Sequence, residues 1–220
     1  MFRFERKYQF KNNNNFSASY LNFFLKKRNI NVGHASNIIN NLYFDSIDLK
    51  NYHLHINGNL DRYKIRVRWY AKQFQKDGNF YLEVKRRINK KIIKNKILLP
   101  IKSTKEFKNF DFGYYINKLN DKNNFEKRKI NFKPILFNKY KRFYYYYRKK
   151  NNRITVDTNL TFSNCHNFDP TFYKSTEIKV LEYKFENDNL NPLISSKNLK
   201  LMSQNFSKYL FGLEMLNFKL

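Results

Sequence analysis

Between positions 62 and 69 the chain alternates without a slip. Arg62, Lys64, Arg66 and Arg68 share one parity, and Tyr63, Ile65, Val67 and Trp69 the other. A period of two sends successive side chains to opposite faces of a β-strand. One face is apolar and the other carries four cations. The same alternation predicts strands over residues 2–10, over about 37–44, in "NFYLEVKRRI" and "KKIIKNKILLP" (a hairpin return), and in "PILFNKYKRFYYYYR", "RITVDTNLTF" and "TEIKVLEYKFE". With the opening stretch that makes about eight. Helices are predicted in "YLNFFLKKR", capped by Ser17 or Ser19, and in "SIDLKNYHLHI", capped by Ser46 with Ile47, Leu49, Tyr52 and Ile56 inward. Short helices are expected between 103 and 132, with breaks marked by Lys105, Glu106 and Gly113. Two more close the chain, one near 190–200 and one in "SQNFSKYLFGLEMLNF", and 163–175 reads as a loop.

The charged face recurs. Arg3, Glu5 and Lys7 share a parity, as do Glu83, Lys85 and Arg87; Lys94 and Lys96; Tyr140 and Arg142; Arg153, Thr155 and Asp157; and Glu182, Lys184 and Glu186. Polar alternation by itself describes any half-solvated sheet. Here the polar positions are nearly all long cations punctuated by single carboxylates, strand after strand. The apolar faces meanwhile hold large aromatics that helices can cover. The expected architecture is α+β: a closed antiparallel barrel of eight strands with flanking helices, its charged faces turned inward as a basic tunnel. One domain over 1–220 is expected, with no internal repeat and no dividing linker.

Composition sharpens this. Lys and Arg number 44 against 17 Asp and Glu, a formal net charge of +27. Such an excess favours a polyanionic partner. An AT-rich genome also yields a Lys-, Asn- and Ile-rich chain, so position rather than total charge must decide. Cationic side chains facing one another in a confined interior repel, and a linear chain of phosphates relieves that repulsion: arginine forks bind phosphate oxygens and lysine acts as a point charge. Cys165 is the single cysteine, so no disulfide forms within the chain. No apolar run approaches the roughly 20 residues of a membrane helix. No apolar signal core opens the chain, and a cytoplasmic location is expected.

Eight motifs stand in order: "ERKY", "NLYFDS", "DRYKIRVRWY", "YLEVKRR", "KYKRFYYYY", "RITVDTNL", "LEYKF" and "SKY". Together they resemble the polyphosphate polymerase domain of the vacuolar transporter chaperone (VTC) type, within the triphosphate tunnel metalloenzymes. The resemblance implies transfer of the ATP γ-phosphate onto a polyphosphate chain, assisted by Mn2+ or Mg2+. It implies catalytic roles for Arg66, Arg68, Arg142, Arg153 and Lys208, and substrate binding by Lys7, Lys64, Lys85, Lys94, Lys96, Tyr140, Lys184 and Ser207. Glu182 matches the metal-binding glutamate, and Glu5 and Glu83 are further ligand candidates. For Ser207 and Lys208 the resemblance is the main warrant; parity places the others inward. ATP and polyphosphate are the expected partners, with a separate membrane protein for product export and no nucleic acid.

Two readings compete with a polymerase. If water takes the place of the acceptor chain, the same site hydrolyses tripolyphosphate or a nucleoside triphosphate. A non-catalytic polyanion-binding module is the other; for single-stranded nucleic acid it wants aromatics on the cationic face, whereas Tyr63 and Trp69 lie opposite it. A nucleotidyl cyclase of the same superfamily is a more distant reading. "HLH" at His53 and His55 is a poor metal pair, because residues two apart on a helix diverge. Five glycines leave no phosphate-cradling loop of the P-loop kind.

Overall fold

A computed structural model describes residues 4–11, 18–33, 35–71, 78–89, 91–123, 131–147, 152–166, 168–185, 194–199 and 201–217. Arg3, Ser17, Glu186 and most of the "KDG" turn lie outside them. Among the described residues there are ten strands: β1 (Phe4–Phe10), β2 (Ile30–Val32), β3 (Asn37–Asp45), β4 (Asp61–Ala71), β5 (Tyr81–Ile88), β6 (Lys91–Leu98), β7 (Lys133–Tyr147), β8 (Arg153–His166), β9 (Asp169–Thr176) and β10 (Lys179–Phe185). The helices are α1 (Ala18–Lys27), α2 (Lys50–Ile56), α3 (Phe112–Asn123), α4 (Ser196–Leu199) and α5 (Lys208–Met215), with a 3-10 turn at Thr104–Asn109.

The strands follow the order β1-β10-β8-β7-β3-β4-β5-β6, with β2 paired to β7 and β9 to β8. Two expectations are corrected. The strand count is ten rather than eight, and the sheet is open: among the described residues no ladder joins β1 to β6. Parity reports which face a side chain takes, not which strand lies alongside, so closure was not readable from it. The outer edge of β1 takes a short segment of chain instead of a strand. Tyr8 bridges to Ser203, and Gln204 N–H donates to the Lys7 carbonyl at 2.9 Å.

The residues gather into two compact units, one of 1–38, 140–160 and 175–207, the other of 39–139, 161–174 and 208–220. In the first unit, Tyr8, Phe10, Ile154, Val156, Leu181, Tyr183 and Phe185 from the strands pack with Leu21, Phe24 and Leu25 of α1. Helix α1 stops where Asn29 takes a left-handed conformation (φ 56°). In the second, Tyr63, Ile65, Val67 and Trp69 of β4 are buried with Phe80, Leu82 and Val84, as their parity predicts. The 3-10 turn and α3 cover them with Phe107, Phe112, Ile116 and Leu119.

Local departures have local causes. Strand β2 has three residues, too few to display alternation, and was missed. The expected loop at 163–175 is instead the end of β8 and most of β9, a strand that pairs with β8 off the main strand path. Lys105, Glu106 and Gly113 are not breaks. Ser103 and Glu106 form a capping box on the 3-10 turn, and Gly113 lies inside α3. Helix α2 begins after Leu49, whose left-handed backbone (φ 50°) accompanies a buried side chain. Ile47 and Ile56 are not inward: they are 77% and 50% exposed. No helix among the described residues is long and apolar enough to cross a membrane.

Candidate functional site

The second unit carries the four cations of β4 and their cross-strand neighbours. Register sets Lys64 opposite Lys85, and Lys85 opposite Lys94, so three lysines stand in one row across three strands. Arg62 faces Arg87 in the next row. Like charges set directly opposite one another oppose pairing. The following row alternates sign: Arg66, Glu83, Lys96. Arg66 donates from Nε and Nη2 to Glu83 Oε2 at 2.9 and 2.6 Å, and Arg68 Nη1 lies 3.9 Å from the same oxygen. Burial pushes the Glu83 carboxyl up, but Arg66 and Arg68 outweigh it and hold Glu83 below the usual carboxylate range. Lys96 Nζ sits 3.5 Å from the centroid of the Tyr81 ring, while Lys94 is exposed.

Arg68 is aimed from behind. Its Nε donates to Asn41 Oδ1 at 2.8 Å; Asn41 Nδ2 donates to Asn138 Oδ1 at 3.3 Å; Asn138 Nδ2 donates to the Thr161 carbonyl at 3.1 Å. Both asparagines are fully buried. A buried amide left unmatched is costly, so the relay holds the guanidinium in one orientation. Near Lys64, His55 Nδ1–H donates to the Asn51 carbonyl at 2.8 Å. Burial, with the charges of Lys64, Arg62 and Lys85, lowers its pKa to about 3, so His55 is neutral near neutral pH.

The first unit holds the other half of the expected residues. Across β1, β10 and β8 the register sets Glu5 opposite Lys184 and Lys184 opposite Arg153, then Lys7 opposite Glu182 and Glu182 opposite Thr155. Sign alternates between β1 and β10, but on β8 Lys184 meets a second cation, Arg153. Lys7 Nζ lies 2.8 Å from Glu5 Oε1, and Lys184 Nζ lies 3.6 Å from Glu5 Oε2 while also pairing with Glu182 Oε1. Burial raises the Glu182 carboxyl, but Lys184, Arg142 and Lys7 outweigh it and hold the group well below the usual carboxylate range. Arg142 grips Asp157 through two bonds, Nε to Oδ1 at 2.6 Å and Nη2 to Oδ2 at 2.7 Å. Burial works against the Arg142 charge, yet Tyr140 and Asp157 keep it firmly protonated. Arg153 is exposed, with its guanidinium 5.7 Å from the Tyr144 ring centroid. Lys7 Nζ also donates to the Phe206 carbonyl at 3.1 Å, next to Ser207. Ser207 closes this unit's sequence and Lys208 begins α5 in the other.

The expected residues thus form two groups. Glu5, Lys7, Tyr140, Arg142, Arg153, Glu182, Lys184 and Ser207 lie in the first unit; Lys64, Arg66, Arg68, Glu83, Lys85, Lys94, Lys96 and Lys208 lie in the second. Of the three candidate metal ligands, Glu5 and Glu182 are joined through Lys184, whereas Glu83 is gripped by Arg66 and approached by Arg68. Among the described residues no three His, Cys, Asp or Glu side chains converge as a ligand cluster. Sequence reasoning missed Asn41, Asn138 and the partnership of Asp157 with Arg142. The available signal was asparagine inside predicted strands, in "NNLYF" and "ILFNKY", where a buried amide must be hydrogen-bonded.

Comparison with known proteins bears on the whole chain. A crystal structure of a Vibrio parahaemolyticus protein provisionally assigned as an adenylate cyclase shares the fold, with a TM-score of 0.52 and 14% identity over 98% of each chain. The PH1012 protein of Pyrococcus horikoshii OT3 aligns over 84% of this chain and 80% of its own, at 12% identity and a TM-score of 0.41. A search of curated proteins finds no match. The profile of the VTC domain matches residues 2–217, which takes in both charged groups and every motif between them. The chain belongs to the VTC domain family.

Proposed function

We propose that this protein is a polyphosphate polymerase, transferring the γ-phosphate of ATP onto a polyphosphate chain with the help of a divalent cation. The observation that carries the reading is the lysine row. Lys64, Lys85 and Lys94 are held opposite one another by strand register, so their repulsion is built into the backbone pairing. A linear polyanion placed along the row turns that repulsion into attraction. Arg66 and Arg68, oriented by Glu83 and by the Asn41–Asn138 relay, present guanidinium donors to non-bridging phosphate oxygens. In the first unit Lys7 and Lys184 offer ammonium groups and Arg142 and Arg153 guanidinium groups to the same kind of oxygen, the Arg142 guanidinium lying 5.4 Å from the Tyr140 ring centroid; Ser207 adds a hydroxyl, and Lys208 of the second unit a cation. Phosphoryl transfer asks for positioning and charge neutralisation more than covalent work. The acceptor is an ionised phosphate, so no general base is required.

Glu182 is ionised and half-buried, and Glu5 and Glu182 approach the same ammonium group of Lys184. The two carboxylates already gather around one cation, so a hard divalent ion would take the place of the Lys184 ammonium between them and fill its remaining positions with phosphate and water. When bound, Mn2+ or Mg2+ supplies charge stabilisation to the transferring phosphoryl group. Glu83, engaged by two arginines, serves better to orient them than to ligate.

The test is incubation with ATP and manganese, followed by separation of products. A polyphosphate ladder with ADP bears the proposal out. Orthophosphate alone would make the protein a tripolyphosphatase or nucleoside triphosphatase. Cyclic nucleotide with pyrophosphate would make it a cyclase. Tight binding with no turnover would leave a polyanion-binding module.

A further inference from the structure

Asp45 ends β3 and is fully buried. Its Oδ1 accepts the Ser46 and Asn51 N–H groups at 2.8 and 2.9 Å, and its Oδ2 accepts the Tyr52 N–H at 3.0 Å. One carboxylate therefore satisfies the first turn of α2, as a capping side chain does. It has a further partner. Tyr209 Oη donates to Oδ2 at 2.5 Å from α5, 164 positions along the chain. Burial and the Asp45 carboxylate both push the Tyr209 phenol upward, so it keeps the proton it donates.

Around this bond stand residues of the candidate site. Tyr209 directly follows Lys208, and both belong to the first turn of an eight-residue helix, too short to be held by its own hydrogen bonds. The Tyr209 ring packs on Tyr43 at 5.3 Å between centroids, and the Tyr43 hydroxyl accepts from Arg66 Nη1 at 3.5 Å. Lys64 Nζ lies 5.9 Å from the Tyr209 ring centroid, and the His55 ring meets it edge-on at 6.5 Å. A carboxylate serving only as a helix cap needs no tyrosine from another helix. The second oxygen is used to tie α5 to the end of β3.

We propose that the Asp45–Tyr209 bond is a positioning latch: it fixes the first turn of α5 so that Lys208 points in one direction toward bound phosphate, and Tyr209 and Tyr43 together brace Lys64 and Arg66. Asp45 and Tyr209 touch no substrate; their hydrogen bond acts through Lys208, and the Tyr209 ring, which Tyr209→Phe retains, acts through Lys64 and Arg66. The inference rests on the phosphate-binding reading given above but not on the identity of the reaction.

The experiment is a double-mutant cycle on the full chain, read by calorimetric affinity for tripolyphosphate and, with ATP, by kcat and KM. Tyr209→Phe keeps the ring and removes only the donor. It is expected to weaken tripolyphosphate binding about tenfold in the parent chain and hardly at all when Lys208 is already alanine, a coupling expected only when two residues act through one another. Asp45→Asn, which keeps one carbonyl acceptor for the α2 cap, should show the same coupling to Lys208→Ala and serves if Tyr209→Phe does not fold. Equal losses in both backgrounds, or no loss in either, overturn the latch. A parent chain that binds tripolyphosphate without making polyphosphate removes the polymerase reading alone, since the binding cycle still decides the latch. A parent chain that binds no tripolyphosphate overturns both.

Discussion

Arg142 and Asp157 face each other on neighbouring strands β7 and β8 and close a two-bond ion pair, the arginine 8% exposed and the aspartate 0%. The pair explains how a guanidinium is kept charged inside the first unit, ready to bear on Glu182. Removing one partner of such a pair leaves the other charge buried alone. Asp157→Ala is therefore expected to destabilise the protein by about 3–5 kcal/mol in urea unfolding. A loss under about 1 kcal/mol would show that Arg142 finds another partner.

Glu182→Gln preserves size and removes the charge that Lys184, Arg142 and Lys7 surround. Metal-dependent turnover should fall by on the order of 100-fold, the scale of losing one well-placed electrostatic group. Tripolyphosphate affinity should hold or rise, because a carboxylate no longer opposes the anion. Activity that survives the change would remove Glu182 from the metal site.

Tripolyphosphate at about 100 times its dissociation constant should raise stability by about 2.7 kcal/mol, read as an upward shift in melting temperature. Arg66→Ala and Lys85→Ala should each reduce the shift, and added salt should reduce it further, since the attraction is between charges. A parent chain whose melting point ignores the anion contradicts the lysine-row argument.

His55 gives stability a pH dependence of definite sign. Its folded pKa is about 3 against 6.5 for an ordinary histidine, so the folded state binds fewer protons than the unfolded chain between those values. The His55 contribution is therefore fully present above pH 6.5 and is lost progressively as pH falls toward about 3. The depressed carboxylates Glu83 and Glu182, with ordinary values of 4.5, act in the same direction but at lower pH. Melting curves between pH 7 and 5 should fall less steeply for His55→Gln than for the parent chain; identical slopes would place the histidine in solvent.

Gly212 lies in α5 where an added Cβ would come within 2.5 Å of Phe162 Cδ1 and 2.8 Å of Leu136 Cδ2. Both neighbours are fully buried and cannot swing away. Gly212→Ala should cost about 1–3 kcal/mol by overpacking, although alanine is the better helix former. A more stable variant in chemical denaturation would mean that α5 can shift outward.

Strand character and facing were legible in the sequence because they are local. The backbone sends alternate side chains to opposite faces, so "DRYKIRVRWY" alone was enough to bury Tyr63, Ile65, Val67 and Trp69 and to keep Arg62, Lys64, Arg66 and Arg68 together. Neighbourhood was not legible. The lysine row depends on which residue of β5 and β6 stands opposite Lys64. The Asn41–Asn138 relay joins positions 97 apart, and the Asp45–Tyr209 bond joins positions 164 apart. Nor could alternation say that no ladder joins β1 to β6 among the described residues, or that Ser203 and Gln204 attach to the edge of β1. Those choices are made by long-range pairing and packing, where many distant segments compete for the same edge and only the assembled chain selects among them.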